Sequence, residues 1–299
     1  MRLDLKQESI MNPYIQSLRL RTLPLSVSGI ILGTGLAARA GEWSMTTDQW
    51  IIFALAICTT LSLQILSNLC NELGDAQKGT DAEQHGREAY GLQSGKITKQ
   101  QMKGMIWLFL GLCIAFGIAL IYSAFEGLFN KQSLGFTGLG LLAIIGAITY
   151  TLGKHSYGYI GLGDLGVFLF FGLLSTLGAY YLQMQTLNWE VVWSGVAIGL
   201  PCVGVLNLNN IRDMENDRLH GKHTFASFLG PTGARIYHTC LLICCLTIFA
   251  IYRHVWSLCI LPIWACHLWY IWSHNDKLDK QMPVLMISTL MVALLALAG

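Results

Sequence analysis

Between residues 68 and 81 the chain gathers oxygen ligands densely: Asn68, Asn71, Asp75 and Asp81, at the end of a long apolar run. A second set, Asn207, Asn209, Asn210, Asp213 and Asp217, closes another apolar run far downstream. In each set an Asn stands four residues before an Asp (Asn71 and Asp75; Asn209 and Asp213). On a helix that spacing puts both side chains on one face, one turn apart. Hard oxygens of this kind suit Mg²⁺, which is usually held by one or two carboxylates together with substrate phosphates. The basic residues threaded among them, Lys78, Arg87, Lys96, Arg212 and Lys222, would neutralise the remaining phosphate charge. The chemistry this predicts is the binding of a diphosphate and its departure as a leaving group. One Asp at a helix end is as readily a cap, and a loop charge as readily solvated. Two clusters with matching spacing on one face are harder to explain in that way.

The elements that carry these residues are read from composition. Of 299 residues 54% are hydrophobic and 12% charged, where a soluble domain carries about 25% charged. This is an integral membrane protein. A net charge of +2 gives no reason to expect nucleic acid. Spanning helices need about 20 mostly apolar residues, and nine stretches qualify: about 23–40, 50–71, 103–125, 133–152, 160–183, 190–211, 235–252, 255–273 and 282–298. The nine cysteines show no metal-ligand spacing and read as free thiols, most of them in apolar runs. The polar N-terminal stretch predicts no cleavable signal peptide. Sixteen of the nineteen Lys and Arg residues fall on the side of the N-terminus, leaving only Arg39, Lys131 and Arg253 opposite. The bias predicts a cytoplasmic N-terminus and, with nine spans, an external C-terminus. Both acidic clusters then emerge at the cytoplasmic face as a parallel repeat, dividing one membrane domain (1–299) into halves of roughly 15–150 and 151–299.

The pattern Asn-x-x-x-Asp-x-x-x-Gly-x-Asp from Asn71, with Asn-Asn-x-Arg-Asp-x-x-x-Asp from Asn209, resembles the UbiA superfamily of intramembrane prenyltransferases. Four features resemble the branch that prenylates 1,4-dihydroxy-2-naphthoate in menaquinone synthesis. They are Arg21-Thr22-Leu23-Pro24; Gln93-Ser94-Gly95-Lys96-Ile97-Thr98; Tyr150-Thr151 followed by the stretch 158–164 that ends in Gly163-Asp164; and Asn209-Asn210-Ile211-Arg212-Asp213 with Gly221-Lys222-His223-Thr224. The chain departs from the family at Glu72, where Asp is common, and at Lys154, where Pro is common; the opening Arg-Pro is Arg19-Leu20. Glu72 keeps a carboxylate, whereas Lys154 and His155 bear on the shape of the acceptor pocket.

The resemblance implies an all-helical bundle in the bacterial inner membrane, acting with Mg²⁺ on a polyprenyl diphosphate whose tail lies among lipids. No obligate protein partner is expected. Asn68, Asn71, Asp75, Asp81, Asn209, Asp213 and Asp217 would hold metal; Lys78, Arg87, Lys96, Arg212 and Lys222 would hold diphosphate. Tyr150 and Tyr157 would line the acceptor pocket or shield a cation, although tyrosines there also suit an interfacial belt. Asp164 is a further candidate, although a carboxylate at a helix start also complements the helix dipole. His220 and His223 stand among hard oxygens, which argues against a soft-metal site. His267 and His274 read as interfacial, and Trp256, Trp264, Trp269 and Trp272 as lipid-facing or belt aromatics. The alternatives are 4-hydroxybenzoate or haem as acceptor, or a cation transporter. Transporters favour inverted repeats with midplane ligands, unlike this parallel pair.

Overall fold

The computed structural model describes residues 12–79, 91–154, 156–274 and 278–298. Among these residues there is no strand, and nine helices are long and apolar enough to cross a membrane. They are α1 (Pro13–Ala40), α2 (Thr47–Lys78), α3 (Lys99–Phe125), α4 (Lys131–Thr149), α5 (Gly163–Met184), α6 (Trp189–Arg212), α7 (Phe225–Ile251), α8 (Val255–Ser273) and α9 (Leu278–Leu297). The helix starts are written in the sequence. Thr46 with Gln49 and Thr98 with Gln101 form reciprocal capping boxes ahead of α2 and α3, and Asn130, Asn188 and Thr224 cap α4, α6 and α7.

Several bounds differ from expectation: α2 runs on to Lys78 rather than ending near 71, and α7 starts at Phe225 rather than near 235, with non-helical backbone at Gly230. The apolar part of α1 is helical over Leu23–Ala40 as expected, but a short helix Pro13–Leu18 precedes it, and Arg19 in the left-handed region (φ 51°, ψ 52°) breaks the two apart. The break turns the segment carrying Arg19 and Arg21 across the bundle end instead of out of it. α5 begins at Gly163, because Tyr157–Tyr159 form a separate turn. α2 ends where Gly79 adopts φ 76° and its N–H caps the Asp75 carbonyl.

Small residues set the packing. A Cβ on Gly33 of α1 would lie 2.2 Å from the Thr176 carbonyl of α5, and one on Gly172 would lie 2.6 Å from the Cα of Gly199 in α6. Backbones this close exclude any larger residue, as in helix pairs that associate within lipid. α5 loosens into π-type turns over Phe168–Leu174, beside that contact. One core joins α1, α5, α6, α7, α8 and α9 through side chains such as Leu32, Ile198, Leu208, Phe249, Trp264 and Leu285. Smaller clusters join α2 to α3 and α4 around Leu66, Cys70 and Cys113. The outer surface is apolar too: Trp107 is 70% and Trp269 67% exposed, which suits lipid and not water.

Two aromatic residues are not where the sequence suggested. Trp264 is buried and donates its indole N–H to Ser288 (2.9 Å), and His267 is buried against His238 instead of standing at the interface. Their place in the apolar runs is the same as that of their exposed neighbours; only the helix face differs. All nine cysteines are free.

Candidate active site

α2 and α6 bring their C-terminal ends to one cavity of about 380 Å³. Asn71, Asp75, Asn209, Arg212, Asp213, Asp217 and Lys222 line its polar end, joined by Tyr150, Tyr157 and Tyr159. From there the lining residues of α2 run back to Ala56 in steps of three and four. At a rise of 1.5 Å per residue that stripe is roughly 28 Å long. The walls away from the polar end are mostly apolar, with Ile30, Leu120, Phe136 and Leu182 among them. A charged mouth therefore leads into a deep, oily interior.

The two ends are held differently. On α2, Asn71 accepts a hydrogen bond from the Thr151 hydroxyl (2.5 Å) and Asp75 accepts one from the Tyr159 hydroxyl (2.8 Å). On the α6 side the acids sit against cations. Arg212 donates through Nε to Asp213 (2.7 Å) and through Nη2 to Asn209 (2.7 Å), and Nη1 bonds Asp279 at the start of α9. Asp217, on the short helix Met214–Leu219, is buried and lies 3.1 Å from the Lys222 ammonium. Burial disfavours the charge on Lys222, but Asp217, Asp75 and Asp213 outweigh it and hold its pKa above the usual lysine value. Burial pushes the Asp217 carboxyl up, Lys222 opposes this, and Asp213 and Asp75 add to it. Three carboxylates thus act on one ammonium.

Aromatic residues stand beside the acids at the mouth. Tyr150 and Tyr157 meet edge to face, with centroids 5.2 Å apart and an interplanar angle of 85°. Burial raises both phenols, Tyr157 to about 12, so each stays neutral. Lys78 lies 3.6 Å from the Tyr159 ring centroid and Lys222 5.6 Å from it, placing two cations against one aromatic ring.

Not every expected residue reaches the cavity. Lys96 is exposed in the loop ahead of α3 and does not line it. Lys78 points instead into the α4–α5 connection, where it bonds the Thr151 carbonyl (2.8 Å) and the Ser156 hydroxyl. Asp164 bonds Tyr237 and lies outside the lining. Asn68 does line it, yet its amide is engaged by the α1 break: its nitrogen donates to the Leu18 carbonyl (2.9 Å) and Thr22 (3.1 Å), and its oxygen accepts from Gln64 (3.2 Å). Asn207 is buried and donates to the Ala234 carbonyl (2.9 Å), and Asn210 does not line the cavity. Glu72 is buried away from the acids and accepts the Leu92 N–H (2.7 Å), anchoring the following loop. Lys154 is exposed outside the cavity lining. Asp81, Arg87 and His155 lie outside the described residues.

The sequence reading missed Tyr159, Arg19, Arg21 and Asp279. Tyr159 stands in the quoted 158–164 motif, but only its contact with Asp75 separates it from Tyr157. Arg21 stands in the quoted 21–24 motif and Arg19 in the departure beside it, but neither was given a role at the site; both line the cavity, next to the αL break at Arg19.

The donor set fits Mg²⁺. Among the described residues no three Asp, Glu, His or Cys side chains form a protein-only metal site, but Mg²⁺ commonly takes one or two carboxylates and completes its shell from phosphate and water. Oxygens from Asn71, Asp75, Asn209, Asp213 and Asp217 at one mouth meet that requirement.

Residues 27–295 match the UbiA prenyltransferase family. The chain is 43% identical over 250 residues to the 1,4-dihydroxy-2-naphthoate octaprenyltransferase of Escherichia coli K12, covering 83% of this chain and 79% of that protein. To the protein of the same name from Bacillus subtilis it is 30% identical over 230 residues, covering 77% and 70%. Its fold matches a UbiA homologue from Archaeoglobus fulgidus bound to GPP and Mg²⁺, with a TM-score of 0.63, 14% identity and coverage of 96% and 100%. It also matches the apo structure of a homologue from Aeropyrum pernix K1, with a TM-score of 0.63, 16% identity and coverage of 93% and 97%. The paired acid clusters, the nine apolar helices and these relatives agree: the chain is an integral membrane protein of the UbiA prenyltransferase family.

Proposed function

We propose that this protein transfers a polyprenyl group from an allylic diphosphate to 1,4-dihydroxy-2-naphthoate, releasing diphosphate and CO₂ in menaquinone synthesis. The observation that carries the mechanism is the meeting of Asp75, Asp213 and Asp217 with Arg212 and Lys222 at the polar end of an otherwise apolar cavity. The acceptor is supported by the naphthoate-specific names of the relatives at 43% and 37% identity.

Asn71, Asp75, Asn209, Asp213 and Asp217 would hold Mg²⁺, which when bound supplies Lewis-acid stabilisation of the departing diphosphate. Lys222 and Arg212 offer N–H donors to its oxygens, where negative charge accumulates as the allylic C–O bond breaks. Tyr150, Tyr157 and Tyr159 line the mouth and would shield the allyl cation from water with their aromatic rings. The ring carbon bearing the carboxylate forms the new C–C bond. Loss of CO₂ then returns a bonding pair to the ring, so no proton need be removed from that carbon. The apolar part of the cavity takes the prenyl tail; Leu139 of α4 both lines it and is 40% exposed, which supports continuity with lipid.

The mouth is assigned to the cytoplasmic face on the charge bias of the loops, with the N-terminus inside and the C-terminus outside. The chain is one membrane domain of two pseudo-repeated halves, a reading supported by α2 and α6 ending at one cavity. The test is turnover by purified protein in nanodiscs with Mg²⁺, a polyprenyl diphosphate and either 1,4-dihydroxy-2-naphthoate or 4-hydroxybenzoate. Prenylated product with CO₂ from the naphthoate alone is expected. Product from 4-hydroxybenzoate instead overturns the acceptor and keeps the diphosphate chemistry.

A further inference from the structure

Three side chains with no part in the chemistry, two of them buried and Gln281 half-buried, form a chain of contacts that leads to the start of α9. His238 of α7 and His267 of α8 are 0% and 1% exposed, and their Nε2 atoms lie 3.0 Å apart. Nδ1 of His267 lies 2.9 Å from the side-chain amide of Gln281, in the first turns of α9. Nδ1 of His238 lies beside Gly204 of α6 and has no hydrogen-bond partner among the described residues. The Gln281 oxygen only accepts, so His267 donates its Nδ1–H to it, and His267 Nε2 then accepts from the Nε2–H of His238.

The far end of this chain is one turn of helix that the active site also uses. Asp279 bonds Arg212 Nη1, and the Met282 sulfur lies 3.5 Å from the same nitrogen. Residues 279–282 therefore grip Arg212 on one side and His267 on the other. Arg212 in turn holds Asn209 and Asp213 (2.7 Å each). We propose that His238, His267 and Gln281 are positioning residues that fix the first turn of α9, and through Asp279 set the Arg212 guanidinium at the diphosphate end of the cavity. This rests on the reading of that end as the diphosphate site.

The test uses the full-length protein in nanodiscs and two readouts: binding of a non-reactive allylic thiodiphosphate with Mg²⁺, and KM for the naphthoate. Gln281→Met keeps the length of the side chain and removes the amide oxygen that accepts from His267. It is expected to weaken thiodiphosphate binding about fivefold, the loss of one ordinary hydrogen bond, with the naphthoate KM unchanged. Asp279→Asn is expected to weaken it further, and the double variant to equal Asp279→Asn alone, since both act through one contact. Additive losses, equal shifts for both substrates, or unchanged binding in Gln281→Met would overturn the proposal. If Gln281→Met fails to fold, His238→Asn, too short to reach His267, must show the same pattern or the proposal falls. Wild-type protein that binds the thiodiphosphate without prenylating naphthoate would overturn the acceptor and leave this test intact. Failure to bind it at all would overturn both.

Discussion

The two acid clusters share a spacing and face one cavity, yet they are neutralised by different means. At the end of α2, Asn71 and Asp75 take hydrogen bonds from neutral hydroxyls, Thr151 and Tyr159. At the end of α6, Asp213 and Asp217 are ion-paired to Arg212 and Lys222. A carboxylate bonded to a hydroxyl, with Lys78 and Lys222 acting on it only through space, keeps more of its charge for a cation. One paired with a guanidinium has spent part of that charge and holds the guanidinium in place instead. The α2 end is thus the stronger metal-holding side, and the α6 end is a clamp of cations for the phosphates.

That difference is broken most sharply by removing one acid from each side. Asp75→Ala is expected to lower kcat about 10³-fold, and Asp213→Ala about 10²-fold, measured as steady-state prenylation in nanodiscs. The smaller loss follows because freeing Arg212 from Asp213 lets it turn further toward the phosphates. Equal losses would show that the two ends share the metal evenly. Chelation with EDTA should abolish turnover in the wild type, and added Mg²⁺ should restore it; in Asp75→Ala the restoring Mg²⁺ concentration should rise more than in Asp213→Ala.

A smaller effect belongs to Tyr159. Tyr159→Phe keeps the ring between Lys78 and Lys222 and removes only the hydrogen bond to Asp75. A loss of about tenfold in kcat/KM is expected, within the range for one hydrogen bond to a charged group. A fall as large as that of Asp75→Ala would make the phenol a participant in the chemistry and not a support for the acid.

Much of this site was legible in the sequence because helical periodicity fixes which residues share a face. Asn71 with Asp75, and Asn209 with Asp213, required only the four-residue step, and the nine spans only a run of apolar residues. What could not be read was set by contacts between distant segments. Tyr159 and Tyr157 are two residues apart on one short turn, and only packing against α2 decides which one bonds Asp75. Arg19 reaches the cavity through a left-handed break in α1 that no residue type there requires. Glu72 adjoins Asn71 in sequence, but a 100° step around the helix points it at Leu92 and away from the acids. His267 and Trp264 belong to an aromatic-rich span whose inward face is chosen by α7 and α9.

The smallest expected effect tests that lesson directly. Lys96 and Lys222 both lie in loops that follow an acid cluster and were equal candidates for holding diphosphate. Lys222 is set beside Asp217 at 3.1 Å and lines the cavity, whereas Lys96 is exposed outside it. Lys222→Ala should therefore raise the KM for the allylic diphosphate about tenfold or more, since it removes a cation from among three carboxylates and leaves Asp217 buried without it. Lys96→Ala should leave that KM unchanged at moderate ionic strength, where an exposed charge outside the pocket is screened within about 10 Å. A matching rise in Lys96→Ala would mean that the loop ahead of α3 folds over the mouth when diphosphate binds. The cation clamp would then draw on both halves of the chain, and the contrast between the α2 and α6 ends would shrink to the metal alone.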